Sequence, residues 1–157
     1  MWTTLNYFIG SWQGLGGGKS GVSRVDRTYE FVLNSKFVFV RSKSTHDPQE
    51  KNPQGEVHEV WGFISYDRAR ETLIFRQFHI EGFVNHYVLN ELAEDSQTFR
   101  FITEGIENIP PGWIARETFR ILSPMSSWKY LNWRAQKKNS KFIQKIVSNG
   151  YAQNRLP

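Results

Sequence analysis

The sequence predicts an all-β protein: a single antiparallel up-and-down β-barrel of about ten strands. Three observations lead there. Apolar and polar residues alternate over short runs, turn residues separate those runs at regular intervals, and no stretch holds a helical apolar period long enough to carry a helical domain. The 157 residues suffice for one domain, 1–157, with a sizeable buried core. No cysteine is present, which excludes disulfides, thiolate metal sites, iron–sulfur clusters and thiol nucleophiles. Charged residues make up 22% and hydrophobic ones 39%, a globular balance, while aromatic residues reach 15%. No apolar run approaches the roughly 20 residues of a membrane helix, so no membrane span is expected. The start lacks the basic end and apolar stretch of a signal peptide, and a cytoplasmic location is expected.

The first strand grows out of Phe8-Ile9-Gly10-Ser11-Trp12-Gln13-Gly14. Gly14, Gly16, Gly17, Gly18 and Gly21 follow. A phosphate loop would need a helix to open after them, whereas Val22 onward alternates as a strand. They are therefore expected to serve as bends and bulges where a barrel strand turns a corner. Val22 to Leu33 reads as a long strand, turned back by Asn34-Ser35 into Phe37–Arg41. Thr45 to Gly55 is polar, holds Pro48 and Pro53, and reads as a loop. Further strands are expected at Val57–Tyr66, Thr72–Ile80, Phe83–Glu91, Thr98–Glu107 and Ile114–Leu122. The last two, Lys129–Gln136 and Lys141–Ser148, flank Lys137-Lys138-Asn139-Ser140. Closing such a meander removes its edge strands, and a barrel of this size often encloses a ligand cavity.

Charge is unevenly placed. Residues 1–117 hold 12 Lys and Arg against 15 acids, while residues 118–157 hold eight Lys and Arg and no acid. Trp128, Tyr130 and Trp133 interleave with that basic stretch. No nucleic-acid motif accompanies it, so a solvated strand pair is expected and no nucleic-acid partner.

The hairpin at Glu81-Gly82 suggests a ligand wall. With a two-residue turn, Ile80 faces Phe83, and one face collects Ile74, Arg76, Phe78, Ile80, Phe83, Asn85, Tyr87 and Leu89. A few convergent polar groups in apolar surroundings suit a ligand, and an arginine there can grip a carboxylate. The ligand-binding residues expected are Arg76, Asn85, Tyr87, Phe78, His79, Trp61, Glu104 and Arg116. The alternative for Arg76 is an ion pair with Glu104 or Glu107. A bulge in the turn would slip the second strand by one residue and bring His86 beside Arg76. His58, His79 and His86 lie on three predicted strands, but no His-x-His pair occurs and no metal site is expected. No nucleophile elbow occurs, and no catalytic residue is assigned. Burial would let Glu104, Glu107, Glu117 or His79 serve as an acid–base group.

Gly10-Ser11-Trp12 on the first strand resembles the calycin group, which includes lipocalins and fatty-acid-binding proteins, where the tryptophan plugs one end of the barrel. Gly10-Ser11-Trp12-Gln13-Gly14-Leu15-Gly16 more closely resembles the nitrobindin-type, heme-binding-like barrels. Gly55-Glu56-Val57-His58-Glu59 with Trp61-Gly62-Phe63, Arg76 to Asn85, and Glu107 to Trp113 with Ala115-Arg116-Glu117-Thr118 resemble an uncharacterised bacterial family related to that barrel. The likeness spans about residues 5–135. It implies a calycin-type barrel and, in nitrobindin-type members, a heme held by a histidine near the C-terminus. Here His46, His58, His79 and His86 are the histidines, so that ligand does not carry over. A heme would need another axial group.

The expected function is binding of a small, largely apolar, anionic ligand inside the barrel. The alternatives are a small-molecule enzyme of isomerase or decarboxylase type using a cavity carboxylate or histidine, heme binding, and an interaction module built on the basic C-terminal quarter. Beyond a small molecule, the partner left open is a second copy in a homodimer.

Overall fold

The computed structural model describes residues 5–92, 98–121, 128–137 and 147–149, the last two segments and residues 91 and 92 as backbone only. A 3-10 turn, Asn6–Phe8, leads into eight strands: β1 (Gly10–Gly18), β2 (Gly21–Val32), β3 (Phe37–His46), β4 (Glu56–Asp67), β5 (Thr72–His79), β6 (Val84–Leu92), β7 (Thr98–Glu107) and β8 (Trp113–Ile121). Each pairs antiparallel with its neighbours in sequence, and the sheet curls into a half-barrel. The strand expected at Phe83–Glu91 runs from Val84 to Leu92. Residues 141–146 of the last expected strand and the side chains of Trp128, Tyr130 and Trp133 lie outside the described residues.

Alternation decides the two faces. On β2 the inward positions are Ser23, Val25, Arg27 and Tyr29; on β3 they are Val38, Val40, Ser42, Ser44 and His46. One end of the concave face is packed with aromatic rings. Phe8 meets Phe119 at 5.5 Å and Phe99 at 6.1 Å, and Phe75 meets Phe101 at 5.9 Å, all edge-on. Leu5 and Phe8, each 4% exposed, bring the N-terminal turn into this core. Trp12 donates its indole N–H to the Phe8 carbonyl at 2.8 Å, which ties β1 to that turn.

Two expectations are corrected. Gly14 to Gly18 are not a corner: they pair without a break from Gly14↔Val25 to Gly18↔Gly21, and the chain turns at Lys19-Ser20. The third strand does not stop at Arg41 but runs to His46, paired residue by residue with β4 as far as His46↔Glu56. Ser42, Ser44 and His46 gave that stretch no apolar alternation, yet they face inward.

The β5–β6 hairpin also differs from the expected two-residue turn. His79 N–H bonds the Phe83 carbonyl at 3.1 Å and Gly82 N–H bonds the His79 carbonyl at 2.8 Å, leaving Ile80, Glu81 and Gly82 in the turn. Gly82 takes φ +86°, a left-handed conformation that glycine adopts without Cβ strain. The pairing is therefore Arg76↔His86, Gln77↔Asn85 and Phe78↔Val84.

Candidate functional site

Beyond the aromatic core, the concave face opens into a cavity of about 280 Å³. Its walls include Val40, Val60, Phe75 and Phe83. Gly62 gives Phe75 room to lie across β4: a Cβ there would come within 2.7 Å of the Phe75 ring.

The floor is polar and buried. Glu117, 1% exposed, stands on β8 between Ala115 and Phe119. Its Oε1 lies 3.6 Å from Arg27 Nη1, and its Oε2 accepts from Gln77 Nε2 at 2.7 Å. Arg27 also donates through Nε to Ser42 Oγ at 3.1 Å and through Nη1 to the Tyr29 hydroxyl at 3.2 Å. Burial pushes the Glu117 carboxyl up to about 7, against the opposing pull of Arg27 and the Gln77 amide. Gln77 Oε1 has no hydrogen-bond partner among the described residues.

A second polar set rises from β5 and β6. Asn85, fully buried, donates to the Tyr87 hydroxyl at 3.1 Å and sits 3.0 Å from His79 Nε2. The His79 ring lies flat on Phe83, with centroids 3.9 Å apart. Burial holds the imidazole down at about 4, so it is neutral at pH 7.

Glu81 and His58, with side chains about two-fifths exposed, mark the mouth. His58 Nδ1 bonds Glu81 Oε1, and His58 Nε2 lies 3.1 Å from Glu56 Oε1. His46, 6% exposed, sets its ring edge-on to His58 at 5.6 Å.

Of the residues expected to bind ligand, His79, Asn85 and Tyr87 face inward together, but only His79 lines the cavity; Asn85 and Tyr87 are fully buried beside it, Tyr87 within the core. Arg76 does not join them. The three-residue turn puts it outside, paired in register with His86 and flanked by the exposed Phe78. Trp61 is also outside, half-exposed, donating to Glu59 at 2.8 Å with Arg41 over its ring. Glu104 is exposed and pairs with Arg70 at 2.8 Å, not with Arg76, and Arg116 is exposed. His86 lies against Glu107 at 2.5 Å on the outer face, so His58, His79 and His86 do not converge.

Arg27, Gln77, Ser42 and His46 were missed, and Glu117 was named only as an acid–base candidate. A signal for the charged pair was present: each occupies a position in phase with apolar neighbours, Val25-x-Arg27-x-Tyr29 and Ala115-x-Glu117-x-Phe119. His79 is not arranged to hold a heme iron. The buried imidazole of His79 is stacked on Phe83 and engaged at Nε2, which leaves it no free axial nitrogen on that edge. No protein-family model and no curated protein matches the sequence.

Proposed function

We propose that the protein binds a small, largely apolar molecule in this cavity and anchors the molecule's anionic group on Arg27. The carrying observation is the buried trio of Arg27, Glu117 and Gln77 beneath apolar walls. With Glu117 poised near 7, the floor carries positive charge over much of the neutral range, and a carboxylate beside Arg27 completes it. Gln77 Oε1 offers an unused acceptor to a donor on the same ligand. A volume of about 280 Å³ lies at the small end of the roughly 300–1,000 Å³ usual for ligand pockets, which favours a compact metabolite over a long acyl chain.

The barrel in this reading closes with ten strands, as in the calycin and nitrobindin-type proteins that the sequence resembles. Two backbone pairings support closure: residues 128–137 run antiparallel along β8, and residues 147–149 pair with them and lie against β1.

Displacement of 1-anilinonaphthalene-8-sulfonate by benzoate tests the site. Arg27→Leu should weaken benzoate by about 10- to 150-fold, the range for a hydrogen bond to a charged group. Arg76→Leu, on the outer face, should change nothing. Loss of affinity in Arg76→Leu, with Arg27→Leu folded and binding normally, overturns the assignment.

One observation favours a second reading. A buried carboxyl near 7 is matched to proton transfer at neutral pH, so Glu117 would act as the acid–base group of an isomerase or decarboxylase. Glu117→Gln would then keep probe binding and abolish turnover of whichever carboxylate the wild type consumes.

A further inference from the structure

We propose that His46, Glu56 and His58 form a binding site for a divalent transition-metal ion, Zn²⁺ fitting best, at the mouth of the cavity. The register builds it. His46 and Glu56 are directly opposed across β3 and β4, and His58 follows Glu56 by two residues, on the same face. Their donor atoms all lie within 4.8 Å of one another. His46 Nδ1 is 4.0 Å and His58 Nε2 3.1 Å from Glu56 Oε1. A tetrahedral zinc with bonds of about 2.0–2.2 Å holds its donors roughly 3.3–3.6 Å apart, so small side-chain rotations complete the set.

Two further features point to a ligand. The His46 side chain is 5% exposed, yet its Nδ1 has no hydrogen-bond partner among the described residues, and the buried Glu56 Oε1 beside it faces His58 Nε2 at 3.1 Å. Burying such a nitrogen costs free energy that a bound ion would recover. In addition, His58 gives its other nitrogen, Nδ1, to the Glu81 carboxylate. That carboxylate–histidine arrangement fixes the ring and turns Nε2 toward the metal, as in many zinc sites.

Two histidines and one carboxylate suit zinc with a fourth position left open. His46 and His58 both line the cavity, so that position faces its interior and is open to water or an anionic group. The site uses residues at the mouth and none at the floor, so it stands or falls independently of the Arg27 reading.

The test is a titration of the chelator-stripped full chain with Co²⁺, read by visible absorption, and with Zn²⁺ in competition with a chromophoric chelator. One equivalent of either ion should bind, with the intense absorption of tetrahedral cobalt. His46→Gln and Glu56→Gln should each lower Zn²⁺ affinity at least 100-fold, and Glu81→Gln by about 10- to 100-fold, as supporting carboxylates do elsewhere. His86→Gln should bind as the wild type does. Should His46→Gln fail to fold, Glu56→Gln, at a less buried position, carries the test. The proposal is overturned if no stoichiometric binding occurs, or if folded Glu56→Gln binds zinc as tightly as the wild type.

Discussion

Two buried groups give the protein opposite responses to pH. Glu117 has its carboxyl raised by burial to about 7, so between about 4.5 and 7 the folded chain holds a proton that the unfolded chain has released. Stability from this group is full below the lower value and falls as pH rises toward the upper one. His79 is held down to about 4, against 6.5 in the unfolded chain. There the unfolded chain binds the extra proton, so stability is full above 6.5 and is lost as pH falls toward 4. Each shift is worth up to about 3 kcal/mol, and over the shared window the two slopes oppose each other. The wild type should therefore show a shallow profile that single substitutions expose. In urea melts of chelator-treated protein, Glu117→Gln should gain stability from pH 4 to 6.5, and His79→Gln should lose it from pH 4.5 to 7. Parallel profiles for the two variants would show that these groups do not carry the shifts.

At the scale of elements, register and close approach matter more than composition. Alternation within β5 and within β6 was legible: Leu73, Phe75, Gln77 and His79 share one face, as do Asn85, Tyr87 and Leu89. What the sequence left open was which half-face of one strand joins which half-face of the other. One turn residue decides that, and the choice moved Arg76 from the wall to the exterior. The polar end of β3 was left out of the strand, residues 42–44 unassigned and Thr45 and His46 placed in the loop, for a related reason: cavity-facing serines and a histidine break the apolar pattern by which an inward strand is recognised. Gly62 shows the role of close approach. A Cβ there would fall 2.7 Å from the Arg76 carbonyl as well as from Phe75, and the backbone cannot yield cheaply. Gly62→Ala should cost about 1–3 kcal/mol in a thermal or urea melt. Gly105→Ala, with open space around it, should stay within about 0.5 kcal/mol. Equal melts for the two variants would sink the packing argument.

For the whole molecule, the all-β class and the consecutive antiparallel order followed from period-2 runs and turn residues, since a meander asks for nothing more than local signals. The site did not follow, because it depends on residues far apart in sequence, Arg27, Gln77 and Glu117, meeting across a curved sheet. That curvature divides the long strands into an apolar part and a polar part. On β3, Val38 and Val40 belong to the buried core, Val40 where the core meets the cavity, whereas Ser42, Ser44 and His46 border the cavity alone. Cohesion therefore runs downhill along each strand, and a single ladder of hydrogen bonds need not open as one unit. Hydrogen exchange should resolve the gradient, with amides near Val38 and Val40 protected close to the global limit and those from Ser42 to His46 released by cheaper, partial openings. A ligand or ion seated in the cavity would slow the second group and leave the amides near Val38 unchanged. The less cohesive end would then act as the adaptable one, fitting its contents by local rearrangement while the aromatic end keeps the fold.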